Sequence, residues 1–193
     1  MQKVIIIGSG ASGVVAAIKA KRQNNQVIVL ERNSVSLKKL LMTGNGKCNY
    51  LNEIYHKEFY HSQNPEFIDD VISTKNVTLA KNLFDELGVV GKIKNGYYYP
   101  FSNQASTIKN ALLFEALNLG VEFVYDCMVT DVSKKDYFLI TTDKGEFTAD
   151  IVVFAMGGCS YLKTGSDGFG YKLLEKMGHQ IIKPLPALSL IHI

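Results

Sequence analysis

The feature that most constrains this chain is a glycine triplet, Gly8-Ser9-Gly10-Ala11-Ser12-Gly13, set between an apolar run and a helix-forming run. Residues 3–7 (Lys-Val-Ile-Ile-Ile) suit a strand buried on both faces. Residues 11–23 have helical composition, with Val14, Val15, Ala16, Ala17, Ile18 and Ala20, and Val27 to Leu30 supplies a second strand. Together they make a β-α-β unit of the expected size. In such a unit the first glycine permits a tight turn, the second lets the backbone approach a pyrophosphate, and the third lets helix and strand pack closely. The amides at the helix start, with the positive end of its dipole, suit phosphate. Glu31 lies 18 positions after Gly13. A carboxylate there can accept hydrogen bonds from both hydroxyls of an adenosine ribose and would repel a 2′-phosphate. Glycines also mark ordinary turns, so the weight rests on strand, turn, helix, strand and acid falling in register.

The rest of the chain reads as α/β. Residues 33–63 are polar and irregular, holding Gly44-Asn45-Gly46, and a stretch that long usually has a function. Helices are expected around 65–73 and 76–88, the second closed by Gly88, and a strand or turn at Gly96-Tyr-Tyr-Tyr-Pro100. An apolar-periodic helix spans 104–119, closed by Gly120. Strands follow at 121–125, 127–133, 136–142 and 146–149, the last two joined at Asp143-Lys-Gly145, and this cluster is expected to be set against the main parallel sheet, its strands linked by short turns rather than by helices. Ile151 to Ala155 is another buried strand, stopping at Gly157-Gly158, and a helix covers about 168–177.

With 193 residues, 47% hydrophobic and 20% charged, the composition is that of an ordinary globular domain. A net charge of +3 with dispersed lysines argues against a nucleic-acid partner. No apolar run approaches the ~18 residues of a membrane span, and no signal peptide precedes the first strand, so the cytoplasm is the expected location. Cys48, Cys127 and Cys159 are far apart and form no metal spacing or disulfide framework. Both FAD and NAD use the glycine fingerprint. The long polar loop, the antiparallel cluster and the return to Ala155-Met-Gly-Gly158 favour FAD.

Four motifs carry a family resemblance. They are the fingerprint from Gly8 to Glu31-Arg32; Lys39-Leu-Leu-Met-Thr43-Gly44-Asn45-Gly46-Lys47-Cys48-Asn49; Gly96 to Ala105 with Pro100 and Ser102; and Ala155 through Ser160-Tyr161 to Thr164-Gly-Ser-Asp-Gly-Phe-Gly-Tyr171. Gly178-His179 and Pro186-Ala-Leu188 follow. These are similar to KLLxTGxGRCN, GRxFPxSxxA and ATGGxSYPxTGSTGDGY of the NAD(P)/FAD-dependent oxidoreductases, the aminoacetone-oxidase-family flavoproteins that include bile-acid dehydro-steroid reductase-like enzymes. The resemblance reaches Leu188. Departures are Lys47 for Arg, which loses the planar fork, Tyr50-Leu51 for Leu-Thr, and Met156 for Thr.

The resemblance implies a Rossmann-type FAD-binding domain over 1–188 with a parallel sheet, an antiparallel strand cluster and a small helical or loop insertion at about 50–105. It implies cofactor contacts from Gly8, Ser9, Gly10, Ala11, Ser12, Gly13, Glu31, Arg32, Thr43, Gly44, Gly46, Lys47, Cys48, Asn49, Val129, Ala155, Gly157 and Gly158. The Thr43–Asn49 loop is expected along the isoalloxazine, where Lys47 and backbone amides would stabilise the charge of reduced flavin. Cys48, Cys127 and Cys159 read as packing residues, since no neighbouring base activates them. Asp167 reads as a helix cap, and no catalytic residue is singled out. The expected activity is hydride movement between NAD(P)H, flavin and a small organic acceptor; the alternatives are a flavin-dependent oxidase using oxygen, a tRNA-modifying or other nucleic-acid-acting flavoprotein, against which the modest, scattered charge argues, and a non-catalytic nucleotide-binding module.

Family members of this kind are about twice as long, so the chain is expected to be an amino-terminal fragment. Leu188-Ser-Leu-Ile-His-Ile193 equals the translation of CTGTCTCTTATACACATC, a transposase end sequence used in library adapters, and residues 189–193 are therefore expected to be non-native. Such a fragment would leave sheet edge and core surface uncovered and be poorly soluble.

Overall fold

The computed structural model describes residues 1–60 and 64–185. The chain forms two compact units, one from Met1–Ser36 with the chain from Val121 onward, the other Leu37–Gly120.

In chain order, β1 (Lys3–Ile7) leads through the glycine turn into α1 (Ala11–Arg22) and β2 (Gln26–Leu30). The interposed unit then begins with a tight, kinked 3-10 turn over Leu40–Gly46, followed by β3 (Leu51–Asn52). Next come α2 (Pro65–Val71), capped by Asn64 accepting from the Phe67 amide at 3.4 Å, and α3 (Thr74–Glu86), capped by Ser73 accepting from the Asn76 amide at 3.2 Å. Strands β4 (Gly91–Lys94) and β5 (Tyr97–Pro100) form a two-residue hairpin, and α4 (Ala105–Asn118) completes the unit. Back in the first unit are β6 (Glu122–Val124), β7 (Val129–Lys134), β8 (Phe138–Thr142), β9 (Gly145–Ala149), β10 (Ile151–Phe154) and α5 (Phe169–Lys176).

The first unit is built on a parallel sheet of order β10-β1-β2-β6. Ile7 pairs with Leu30 on one side and Phe154 on the other, so the strands end together. Because β2 and β10 flank β1, the chain leaves β1 in one direction and the later strand returns on the other side. The carboxyl ends of β1 and β10 thus mark a switch point, the place where open α/β sheets bind ligands. Strand alternation gives the sheet two apolar faces. Ile5, Ile7, Ile28 and Leu30 pack with Cys127, Val129, Val132, Ile140 and Leu173 in one buried cluster, which joins the antiparallel sheet β7-β8-β9 to the parallel one. Helix α1 contacts β1, β2 and β10, burying Val14, Ala17 and Ile18.

One expectation is corrected here. The strand pattern groups residues 121–125 with the antiparallel cluster, but Ile28 pairs with Glu122 and Leu30 with Val124, both parallel. The segment follows a helix through Gly120 rather than a tight turn, and a helical crossover delivers a parallel strand. Within 121–149, it is β7, β8 and β9 that are joined by short turns and pair antiparallel.

The second unit carries the antiparallel sheet β3-β5-β4. Asn95 (φ +53°) and Gly96 (φ +80°) form its hairpin turn, the left-handed pair that two-residue hairpins require. The tyrosines 97–99 are accordingly strand residues. Much of the 33–63 stretch, irregular by its sequence, is organised by buried Leu37 and Leu40 and short turns. Among the described residues no helix is long and apolar enough to cross a membrane. Pro186, Ala187, Leu188 and the 189–193 tail lie outside the described residues.

Candidate functional site

The turn after β1 separates the three glycines by physical cause. A Cβ on Gly8 would lie 2.5 Å from the Ala155 carbonyl oxygen, and Gly8 has φ +101°. A Cβ on Gly13 would lie 1.9 Å from the Gly8 carbonyl oxygen. Both glycines are demanded by the protein's own backbone. Gly10 differs: φ is −69° and ψ −177°, a conformation open to any residue, and a Cβ there would meet nothing within 4 Å. Among the described residues nothing fills the space a Gly10 Cβ would take, and that side is the approach that a pyrophosphate uses. Helix α1 has no side-chain cap and no acid in its first turn, so the amides of Ala11, Ser12 and Gly13 lack intrahelical acceptors and face outward with the dipole's positive end. The Ser9 amide is not part of this set, because it donates to Glu31 at 2.7 Å.

Glu31 follows β2 directly and is buried. Its Oε2 accepts from the Ser9 amide and the Ser9 hydroxyl, both at 2.7 Å. Its Oε1 accepts from the Asn33 amide at 2.8 Å and from Asn33 Nδ2 at 2.6 Å. A buried carboxylate needs such partners, since leaving them unmade costs the full desolvation of the group.

Arg32 turns toward the last glycine motif. Its guanidinium pairs with Asp167 at 2.8 Å and donates to the Gly165 carbonyl oxygen. The Arg32 hydrogen bond is the main reason the Asp167 carboxyl sits below the usual carboxylate range. The other Asp167 oxygen accepts from the Phe169 amide at 3.0 Å, at the start of α5, so this residue combines the expected capping with an ion pair. Thr164 and Ser166 are buried between these partners. The first and fourth sequence motifs, more than a hundred residues apart in the chain, therefore meet in one unit.

The second glycine turn also lies here. The Ala155 amide donates to the Ile7 carbonyl oxygen at 2.9 Å, continuing the β1–β10 pairing up to Gly8. Gly157 has φ +74°, and the Gly158 carbonyl oxygen accepts from the Gly168 amide at 3.2 Å. Met156 packs on Gly170, with the thioether filling the space where a Cβ would go. Val129 buries its side chain in the core cluster, which leaves only its main chain for any cofactor contact. Cys127 is buried as a packing residue, whereas Cys159 is exposed, with its thiol lying against Gly168.

The remaining site residues belong to the second unit. Gly44 (φ +55°, ψ +33°) and Asn45 (φ +54°, ψ +48°) are left-handed in succession, and Gly46 has φ +79°. The turn is closed by the Lys47 amide on the Gly44 carbonyl oxygen (3.2 Å) and the Cys48 amide on that of Thr43 (3.0 Å). Thr43, Gly44, Gly46, Lys47 and Asn49 are exposed. Cys48 is buried, and burial pushes its thiol up, which suits packing rather than a thiolate nucleophile. Sequence reasoning passes over Asn33, and no signal in the sequence distinguishes it from other polar residues after a strand.

A family model described as the HI0933-like protein Rossmann domain matches residues 2–185. The chain belongs to that family. Its architecture is the Rossmann-type FAD-binding domain. Among curated relatives, the HI0933-like chain is 38% identical over 192 residues to a Clostridium scindens protein named 3-dehydro-bile acid delta(4,6)-reductase, covering 97% of this chain and 47% of the relative. It is 28% identical over 180 residues to the Escherichia coli ribosomal RNA dihydrouridine synthase, covering 92% of this chain and 45% of the relative. The chain thus spans about half the length of the curated relatives it matches. Among solved structures, the 3-ketosteroid-delta4-(5alpha)-dehydrogenase of Rhodococcus jostii superposes with a TM-score of 0.62 at 18% identity, over 81% of this chain and 46% of that one, a likeness of fold.

Proposed function

We propose that this chain is the FAD-binding part of an oxidoreductase that uses NAD(P)H to reduce a small organic acceptor bearing a polarised carbon–carbon double bond. The observation that carries the cofactor reading is the open approach to Gly10, flanked by the free amides of Ala11 to Gly13 and backed by buried Glu31. These groups fit a dinucleotide: the amides hold the pyrophosphate and Glu31 takes the adenosine ribose. FAD, when bound, supplies the hydride chemistry; the chain's residues bind and orient it. Arg32 and Asp167 fix the Thr164–Asp167 turn. The resemblance assigns the exposed Lys47 loop to the isoalloxazine.

The acceptor class comes from the relatives' names. A delta(4,6)-reductase and a dihydrouridine synthase both saturate a conjugated double bond, one in a steroid and one in a nucleobase. Net charge of +3 with dispersed lysines favours the small molecule over RNA. The reading is tested on the full-length protein by anaerobic reduction of its flavin with NADH and with NADPH. Reoxidation is then followed with steroid enones, with uridine-containing RNA and with oxygen. Fast reoxidation by an enone supports the reading; reoxidation only by RNA, or only by oxygen, replaces it with a nucleic-acid-modifying enzyme or an oxidase.

A further inference from the structure

A carboxylate offers about four acceptor positions, and in this fold the chain itself occupies all four on Glu31. Two donors are backbone amides, of Ser9 and Asn33, and two are side chains, the Ser9 hydroxyl and the Asn33 carboxamide. Each adenosine ribose hydroxyl that donates to Glu31 must displace one of them. The four are not equally placed. Ser9 is 0% exposed, locked in the turn below the carboxylate. Asn33 is only half-buried and reaches Oε1 from the other side. Its Nδ2 also lies 3.5 Å from the Thr164 carbonyl oxygen, so a second acceptor awaits it. Its backbone is held independently: the amide donates to Glu31 and the carbonyl accepts from the Asp126 amide at 3.2 Å.

We infer that the Asn33 carboxamide is a place-holder for a ribose hydroxyl on Glu31, displaced when a ribose-bearing dinucleotide binds, while Ser9 is a permanent support. This rests on the dinucleotide reading of the site. The reason is the cost of an under-partnered buried carboxylate. In the ligand-free chain the Asn33 amide group meets that need; on binding, the ribose meets it instead. Asn33 therefore stabilises the ligand-free fold and opposes ligand, a pair of effects with opposite sign. Ser9, retained throughout, supports both states.

The test compares Asn33→Ala and Ser9→Ala in the full-length protein freed of bound nucleotide, with ADP and 2′,3′-dideoxy-ADP as probes in calorimetry. The ratio of the two affinities isolates the hydroxyl contribution and is insensitive to general loosening of the fold. Asn33→Ala should lower the melting temperature of the ligand-free protein yet raise the ADP-to-dideoxy preference about three- to tenfold. Ser9→Ala should lower both. An Asn33→Ala preference equal to or below wild type would overturn the place-holder role. Wild-type protein that binds neither ADP nor FAD, or that ignores the hydroxyls, would instead remove the dinucleotide reading and the inference with it.

Discussion

Two glycine loops carry most of the sites expected in this chain, and they need glycine for different reasons. In the Gly8–Gly13 turn the need is spatial, joined at Gly8 by a φ of +101°. Gly13 presses on the Gly8 carbonyl and Gly8 on the Ala155 carbonyl, while Gly10 faces open space. In the Gly44–Gly46 loop the need is conformational, with three successive residues at positive φ. A Cβ on Gly44 would come no closer to its surroundings than 3.1 Å, the distance to the Asn49 amide nitrogen. A glycine required by packing or by φ says that a backbone path is fixed. A glycine required by neither, such as Gly10, points to something outside the chain.

The comparison breaks most visibly at Gly13. Gly13→Ala should cost on the order of 3 kcal/mol or more, because the group it would clash with, the Gly8 carbonyl, is backbone; chemical denaturation of the full-length protein gives the number, and an alanine variant of native stability would contradict the packing described. Gly10→Ala is the opposite case. Its stability should stay within about 0.5 kcal/mol of wild type, while FAD affinity falls roughly ten- to a hundredfold, about 1.4–2.7 kcal/mol. Loss of stability with unchanged affinity would reverse the assignment of that glycine.

Glu31→Ala should weaken FAD retention by about 1–3 kcal/mol through unpaired polar groups, read by dialysis against flavin-free buffer. Retention equal to wild type would refute the ribose assignment. In the other loop, Lys47→Met should make the flavin midpoint potential more negative by roughly 30 mV, about 1.4 kcal/mol for a two-electron couple. An unchanged potential and turnover would leave the loop a packing feature.

The smallest effect is at the Arg32–Asp167 pair. The Asp167 carboxyl is depressed in the folded chain, chiefly by the Arg32 hydrogen bond, from an ordinary value of 3.8. A depressed folded value contributes stability above the unfolded value and loses it as pH falls through the folded one. Asp167→Asn should therefore cost a few tenths of a kcal/mol at neutral pH, given that the side chain is 44% exposed and screened. The difference from wild type should begin to shrink as pH drops below 3.8 and vanish below the lower folded value. A gap that persists in acid would mean the aspartate acts through packing or the Phe169 cap.

The sequence by itself determined the β-α-β unit, its glycine turn, the acid after β2 and the strands and helices beyond. These signals are local: hydrophobic period, turn residues and short fixed spacings report backbone preference within a few residues. Local reasoning also misses local signals, as at Asn95-Gly96, where it marks a strand or turn without resolving the hairpin. It misassigns Glu122–Val124 because strand propensity does not say which sheet a strand joins; the preceding helix and the partner β2 decide that. Only the tertiary structure revealed that a Cβ at Gly10 would meet nothing within 4 Å, that Arg32 serves Asp167 and Gly165, and that Asn33 covers Glu31. Those facts depend on atoms brought together from positions up to 135 residues apart, and side-chain hydrogen bonds at that separation leave no periodic trace in a sequence.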